Sequence, residues 1–277
     1  DKFIGATIEE CNTVVAGIDA AGVKSIVANY TYGELMCQSQ VIINSGDLGE
    51  LLGLHVDIMF GKGWPVFIKE EDRNLNFLPP GQWKFPDIKR ELLAVGAYAV
   101  GLVQSCVDRI VYVHGQGDAY FFPEHASRGT EDFGILTMTD SAGRIATISG
   151  GRIGVAMHPY GGPSRAYLIG TKGSAIVDGK GPMLDAFVRE EITTVNYLPS
   201  KKDPMQWAES PPTLGIPLAS DSTGLWRGLE DLVKALDEDK LPAYTVHEAR
   251  DLMEILVAGY RSILEGETVC LDPRNGA

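Results

Sequence analysis

The sequence predicts an α+β fold, a large and mostly antiparallel sheet with helices on one face, preceded by a short terminal αβ pair. Short segments with alternating hydrophobicity, separated by turn residues, run from residue 107 to 192, and this pattern is typical of antiparallel strands. Longer helical segments lie before and after them. Helices and strands that are segregated along the chain indicate separate layers.

Composition narrows the function classes. The chain has 277 residues, of which 44% are hydrophobic and 22% charged, as expected for a globular protein of one large or two moderate domains. A formal net charge of −13 argues against a nucleic-acid partner. No apolar run approaches the roughly 20 residues that span a bilayer, and no secretory pattern is present, so we expect a cytoplasmic protein without a membrane partner.

The first thirty residues predict a helix over residues 7–22 and a buried strand over residues 23–29. Such a pair cannot bury its own apolar faces and is typical of the end of an αβαβ alternation in a parallel sheet. We therefore expect its partner strands upstream of Asp1. The predicted domains are residues 1–30 and residues 31–277.

The next segments predict a helix over residues 34–44, which ends at Ser45-Gly46, and a strand over residues 49–60. Alternation in this strand places four side chains on the buried face: Leu52, Leu54, Val56 and Ile58. Residues 61–86 form a long connection, of the kind that compact domains keep for function or docking.

Residues 87–106 predict one helix, with Asp87 as its N-cap and almost no charge after Glu91, so we expect it to be buried nearly all round. Five strand segments follow: 107–115, 132–140, 144–157, 165–179 and 184–192. A hairpin turn is predicted at residues 140–143. Residues 196–218 predict an irregular excursion, followed by helices over 223–237 and 246–266 and an edge strand at 269–271.

Four segments, in this order, resemble the Gfo/Idh/MocA family of nicotinamide-dependent oxidoreductases: 1–27 (DKFIGATIEECNTVVAGIDAAGVKSIV), 45–57 (SGDLGELLGLHVD), 166–179 (AYLIGTKGSAIVDG) and 234–271 (KALDEDKLPAYTVHEARDLMEILVAGYRSILEGETVCL). The resemblance implies a Rossmann domain with a glycine fingerprint, followed by a substrate-binding and oligomerisation domain. No complete fingerprint occurs in this chain. We therefore expect residues 1–30 to be the remnant of a Rossmann domain, and the fragment to be inactive by itself.

The resemblance also implies two catalytic residues. Lys2 matches a cleft lysine that contacts substrate and nicotinamide, although Asp1 and Phe3 replace the usual Glu and Pro around it. Tyr98 matches a tyrosine on the buried helix, and Ala94 replaces the aspartate that would orient its hydroxyl. The alternatives are that Lys2 is a solvated terminal residue and that Tyr98 is a core aromatic.

Helical spacing places Arg90, Ala94 and Tyr98 on one face, so Arg90 is a candidate for binding a carboxylate or sugar oxygen beside Tyr98. The alternative is that Arg90 is a surface charge in the first turn.

Trp83, Lys84 and Asp87 precede the same helix and are further substrate-side candidates, because they would border the cleft in the family's layout. The alternative for Trp83 is that it anchors the loop by packing. No spacing gathers the histidines or cysteines, so we expect no metal site.

The function predicted from the resemblance is the substrate-binding and oligomerisation part of an oxidoreductase that uses NAD or NADP and acts on a sugar, polyol or related hydroxy compound. The alternative is a non-catalytic ligand-binding or interaction relative, in which Ala94 marks lost chemistry. In either case we expect the face of the sheet that carries no helices, the open face, to pair with a second copy and form a homodimer or tetramer.

Overall fold

The computed structural model describes residues 3–27, 33–61, 63–73, 90–154, 164–179, 183–188, 214–217 and 224–271. Its helices are α1 (Ile8–Ala21), α2 (Glu34–Ser45), α3 (Glu91–Ala94), α4 (Gly96–Cys106), α5 (Pro123–Arg128), α6 (Gly224–Asp237) and α7 (Val246–Glu265). Its strands are β1 (Leu51–Phe60), β2 (Ile110–Asp118), β3 (Phe133–Asp140), β4 (Ile145–Arg152), β5 (Ser164–Gly170), β6 (Gly173–Asp178), β7 (Met183–Val188), β8 (Leu214–Pro217) and β9 (Val269–Cys270).

The strands form one nine-stranded sheet in the order β8-β7-β6-β5-β1-β4-β3-β2-β9. β1 runs parallel to β4, and the other pairings described are antiparallel. The predicted α+β class and the predicted edge strand at the end of the chain are confirmed.

The helices cover one face of the sheet. α4 packs on β1 and β4, α2 on β5 and β6, and α7 on β2. Val56, Ile148 and Leu168 point into this layer and are fully buried. Their sequence neighbours His55 and Tyr167 point to the opposite face and are half-buried. The alternation gives the sheet one core face and one open face.

Local signals account for the first two helices. Thr7 caps α1 by accepting a hydrogen bond from the Glu10 amide at 3.1 Å, and Gly22 ends the helix with a left-handed φ of 62°. Gly46 ends α2 in the same way. The predicted helix boundaries at these positions are confirmed to within one residue.

The predicted strand over residues 23–29 is wrong for its described part. Residues 23–27 lie outside the sheet, and Val23 is 54% exposed. The Val27 amide donates to the Tyr244 carbonyl at 3.1 Å, but the described residues provide no strand beside this segment with which to form a ladder. Residues 28 and 29 lie outside the described residues.

Leu52 was predicted on the buried face and is instead 49% exposed, whereas Leu51 is buried. The pairing of β1 with β5 shifts register between Leu51 and Gly53. Such an irregularity reverses the side chains that precede it, which simple alternation along the strand does not reveal.

The helix predicted over residues 87–106 is confirmed from Glu91 to Cys106, except that it is divided at Val95, which keeps right-handed helical dihedrals. α3 begins at Glu91 and is separated from α4 at Val95, while Asp87 lies outside the described residues. The helix resumes at Gly96, which is a poor helix former and lies against the backbone of Gly150 in β4. The expectation that this segment is buried nearly all round is confirmed for α4.

Two elements were not predicted. Residues 214–217 form strand β8 on β7, within a stretch that was predicted to be irregular and whose remainder lies outside the described residues. α5 begins with Pro123 and ends at Gly129, which has a left-handed φ of 62°. Proline at the first turn and glycine past the end are ordinary helix signals, so α5 was predictable.

A glycine exchange tests the close contact between α4 and the sheet. A Cβ at residue 150 would lie 2.7 Å from the Cα of Gly96, so we expect Gly150→Ala to lower the free energy of unfolding by about 1–3 kcal/mol. Gly17→Ala is the matched control, because nothing lies near its added Cβ in α1, and it should raise stability by about 0.5–1 kcal/mol. Urea denaturation measures the free energy of unfolding of both variants. Equal changes in the two variants would contradict the close contact between Gly96 and Gly150.

Candidate functional site

The structure describes two of the predicted site residues, Arg90 and Tyr98. The other four, Lys2, Trp83, Lys84 and Asp87, lie outside the described residues. Their assignments stay predictions.

Arg90 occupies the N-cap position of α3 and is only 5% exposed, so the alternative of a surface charge is wrong. Its Nη1 lies 3.6 Å from Oε2 of Glu131, and its guanidinium carbon lies 5.8 Å from the centre of the Tyr260 ring. Val95, between α3 and α4, keeps right-handed helical dihedrals, and its amide donates to the Glu91 carbonyl at 2.7 Å. The placement of Arg90 and Tyr98 on one helical face stays a prediction.

Tyr98 lies in the first turn of α4 and is half-buried, while its neighbours Ala97 and Ala99 are fully buried. Together with Ala94, Tyr98 packs against the edge of the hydrophobic core. This position suits both a core aromatic and a residue whose hydroxyl reaches a ligand. The catalytic role of Tyr98 therefore stays a prediction.

A buried polar cluster surrounds the start of α3. Oε1 of Glu131 accepts hydrogen bonds from the Leu92 amide at 3.0 Å and from the Tyr260 hydroxyl at 2.5 Å. The Tyr260 oxygen in turn accepts from the Leu93 amide at 3.0 Å. Glu131 and Tyr260 are completely buried. Two side chains from other elements thus bind the first free amides of α3.

Burial raises the pKa of Glu131 to about 7, although the Tyr260 hydroxyl and Arg90 favour the ionised form. Burial and the neighbouring Glu131 raise the pKa of Tyr260 well above its ordinary value. Glu131 thus titrates in the neutral range, and Tyr260 is a neutral hydrogen-bond donor there.

His125 and Glu91 extend the cluster. Nδ1 of His125 lies 3.1 Å from the Glu131 carbonyl oxygen, and Nε2 lies 3.9 Å from Oε1 of Glu91. Burial lowers the pKa of His125, which favours the neutral imidazole. Sequence reasoning missed this cluster because Glu131 lies 39 residues from Leu92 and Tyr260 lies 167 residues from Leu93. Tyr260 also lies on the apolar face of α7, where it is indistinguishable from an ordinary core aromatic.

The next residue, Asp132, organises the loop between β2 and α5. Its carboxylate accepts hydrogen bonds from the amides of Tyr120, Phe121 and Phe122 at 2.9, 2.7 and 2.9 Å. A carboxylate that accepts three backbone hydrogen bonds holds the backbone of residues 120–122 beside Asp132, which directly precedes β3.

The N-terminus of α1 does not fit the pyrophosphate of a dinucleotide cofactor. The N-terminus of α1 already has Thr7 as its cap, and its first turn carries Glu9 and Glu10, which would repel a phosphate. Glu10 also accepts the Ala6 amide at 2.7 Å.

Over the described ranges, no three His, Cys, Asp or Glu side chains come together as metal ligands, and no helix is long and apolar enough to cross a membrane.

The open face carries a polar network at its centre. His55 contacts Asp57 through Nε2 at 2.8 Å and Thr147 through Nδ1, and Ser149 donates to Asp57. The hydrogen bond to Asp57 raises the pKa of His55. Burial opposes ionisation of Asp57, but the hydrogen bonds from His55 and Ser149 hold the pKa of this carboxyl below its ordinary value. Ser149 bonds to the carboxylate and not to the imidazole, so the trio is not arranged as a nucleophilic triad.

No family model matches the chain. A curated relative is YrbE, an uncharacterised oxidoreductase of Bacillus subtilis, which is 22% identical over 208 residues, 73% of this chain and 52% of that protein. The chain thus spans about half the length of the curated relative it matches.

Solved structures share the fold over nearly the whole chain. An aldose-aldose oxidoreductase from Caulobacter crescentus, complexed with glycerol, has a TM-score of 0.68 at 17% identity, over 97% of this chain and 70% of that chain. A putative myo-inositol dehydrogenase from Sinorhizobium meliloti has a TM-score of 0.67 at 13% identity, over 98% and 72%. The WlbA dehydrogenase from Bordetella pertussis, in complex with NADH and UDP-GlcNAcA, has a TM-score of 0.61 at 16% identity, over 98% and 70%. The resemblance to Gfo/Idh/MocA-type oxidoreductases is confirmed at the level of the fold.

Removing the Asp132 carboxylate tests its role in the loop. Asp132→Ala leaves three amides without their acceptor, so we expect the free energy of unfolding to fall by about 3 kcal/mol. Asp132→Asn keeps an acceptor oxygen and should lose less. Asp237→Ala, at an exposed position, is the control. Thermal denaturation followed by circular dichroism distinguishes these cases; a loss no larger than that of the control would contradict the assignment.

Proposed function

We propose that this chain is the substrate-binding and oligomerisation part of an oxidoreductase that uses NAD or NADP and acts on a sugar, polyol or related hydroxy compound. The observation that carries the proposal is the fold shared over at least 97% of the chain with oxidoreductases of sugars and a putative polyol dehydrogenase. In this proposal residues 1–30 belong to the nucleotide domain and residues 31–277 to the substrate domain.

The bound nicotinamide would supply the hydride chemistry. Because the N-terminus of α1 does not fit a pyrophosphate, we assign cofactor binding to residues beyond the described ones, including Lys2. The other candidate residues of this chain would contact the substrate. Tyr98 would donate a hydrogen bond to the substrate oxygen, and Trp83, Lys84 and Asp87 would border the bound ligand. Arg90, anchored on Glu131, would contribute positive charge at the base of the site.

The second candidate is a ligand-binding or interaction relative without catalysis. The observation that favours it is Ala94, because a methyl group neither orients a hydroxyl nor transfers a proton. Cofactor binding separates the two candidates.

Titration calorimetry with NADH and NADPH tests the proposal on the full-length protein. We expect one nucleotide to bind to the full-length protein and neither to the 277-residue chain alone. The absence of binding of both nucleotides to the full-length protein would refute the oxidoreductase function and favour the second candidate.

In an active full-length form, Tyr98→Phe should lower kcat about 10²–10⁴-fold because it removes the proton donor, while the cofactor Kd stays unchanged. Tyr120→Phe is the control, since its ring remains against Arg73, whose guanidinium carbon lies 4.6 Å from the ring centre. Steady-state kinetics and fluorescence titration measure the two quantities. An unchanged kcat would mean that Tyr98 is only a core aromatic.

We propose that the open face pairs with a second copy, giving a homodimer or tetramer. Large apolar side chains remain exposed there: Leu52, Tyr112, Ile135, Ile145 and Ile169. Apolar area on a broad sheet face favours association with a like surface.

A glutamate on this face would be buried against apolar side chains of the second copy. We expect Ile169→Glu to weaken self-association at least about tenfold, as measured by sedimentation velocity over a dilution series. Val41→Glu is the control, because Val41 is exposed to a similar degree, 59% against 54% for Ile169, but lies on α2. A wild-type chain that sediments as a monomer at every concentration would contradict the proposed pairing.

A further inference from the structure

The start of α3 is capped from outside the helix. Arg90, at the N-cap position, makes no side-chain capping bond. The amides of Leu92 and Leu93 donate instead to Glu131 and to Tyr260, at 3.0 Å each. The first turn of a helix has unpaired amides that need acceptors, and here they come from the segment before β3 and from α7.

The two acceptors are also bonded to each other, since the Tyr260 hydroxyl donates to the same Glu131 oxygen that accepts from Leu92. Loosening one therefore disturbs the other. The second carboxyl oxygen, Oε2, is buried and has no hydrogen-bond partner among the described residues; its nearest cation is Arg90 at 3.6 Å. Ionised Glu131 is thus incompletely compensated, which favours uptake of a proton in the closed cluster.

The charged and titratable groups around Glu131 come from every described element that meets it. Arg90 and Glu91 lie at the start of α3, Tyr260 on α7 and His125 on α5. The Asp132 carboxylate is turned to the backbone of residues 120–122. Arg90 favours the ionised form of Glu131, but complete burial outweighs it.

We propose that Glu131 and Tyr260 are positioning residues that hold the start of α3 through a proton-linked cap, and that loss of the proton from Glu131 favours opening of this cap. A catalytic role of Tyr98, which follows α3 on α4, rests on the proposed function. The cap itself does not.

The direction of the pH effect follows from linkage. The pKa of Glu131 rises from its ordinary value of 4.5 to about 7 in the closed cluster, so the closed cluster holds the proton more tightly than a hydrated carboxyl does. Opening that hydrates Glu131 therefore becomes easier as pH rises from 4.5 to 7, and levels off above 7. Between pH 5 and 8 the fraction of open cap should rise by up to about a hundredfold.

Amide hydrogen exchange on the 277-residue chain, resolved by NMR and corrected for the intrinsic rate, tests this without cofactor or substrate. The protection of Leu92 and Leu93 should fall between pH 5 and 8, while that of Leu168 in β5 serves as the reference for global opening. If the protection of Leu92 and Leu93 is independent of pH, or falls only in parallel with that of Leu168, the proposal is overturned.

Two variants test whether Glu131 causes the pH dependence and whether Tyr260 protects the Leu93 amide. Glu131→Gln keeps an acceptor oxygen but cannot ionise, so it should remove the pH dependence; retention of the wild-type dependence would overturn the assignment. Tyr260→Phe removes the acceptor of Leu93 and should lower its protection at every pH, with unchanged protection counting against Tyr260. Glu265→Gln, at the exposed end of α7, is the matched control. Should a variant fail to fold, the wild-type pH series alone decides the proposal.

Discussion

The close approach of α4 to the sheet at Gly96 and Gly150 is the contact on which the rest of the helical layer depends. A Cβ on Gly150 would lie 2.7 Å from the Cα of Gly96, so a side chain at residue 150 has no room against the backbone of α4. The same proximity lets Leu92 pack over Gly134 in β3, 2.9 Å from where a Cβ would lie.

The polar groups on the two faces of the sheet differ, because helices cover one face and leave the other open. On the face that the helices cover, Glu131 accepts from a backbone amide at the start of α3. On the open face, His55, Asp57 and Ser149 satisfy one another within the sheet. Such a network lowers the cost of covering this face with another surface, because the polar groups need no partner from it.

Local signals were sufficient to predict much of the fold. The caps at Thr7, Gly22 and Gly46 mark the ends of α1 and α2, and alternating hydrophobicity marks the central strands. These signals depend only on residues that are close in sequence. Features that depend on distant contacts were not predictable from local pattern. The register shift at Leu52 is set by pairing with β5, and the cap of α3 comes from residues far along the chain. For the site, helical spacing from Tyr98 singled out Arg90, but its buried partner Glu131 could not be predicted.

The buried cluster also bears on the missing aspartate at position 94. A carboxylate that orients a tyrosine hydroxyl must offer it a free oxygen at hydrogen-bond distance. Oε1 of Glu131 already accepts from Leu92 and Tyr260, and Oε2 faces Arg90. Glu131 therefore stabilises the helix start and does not take over the aspartate's role. Ala94 supplies only a methyl group, so if Tyr98 transfers a proton, its hydroxyl is oriented by groups other than the side chain at position 94.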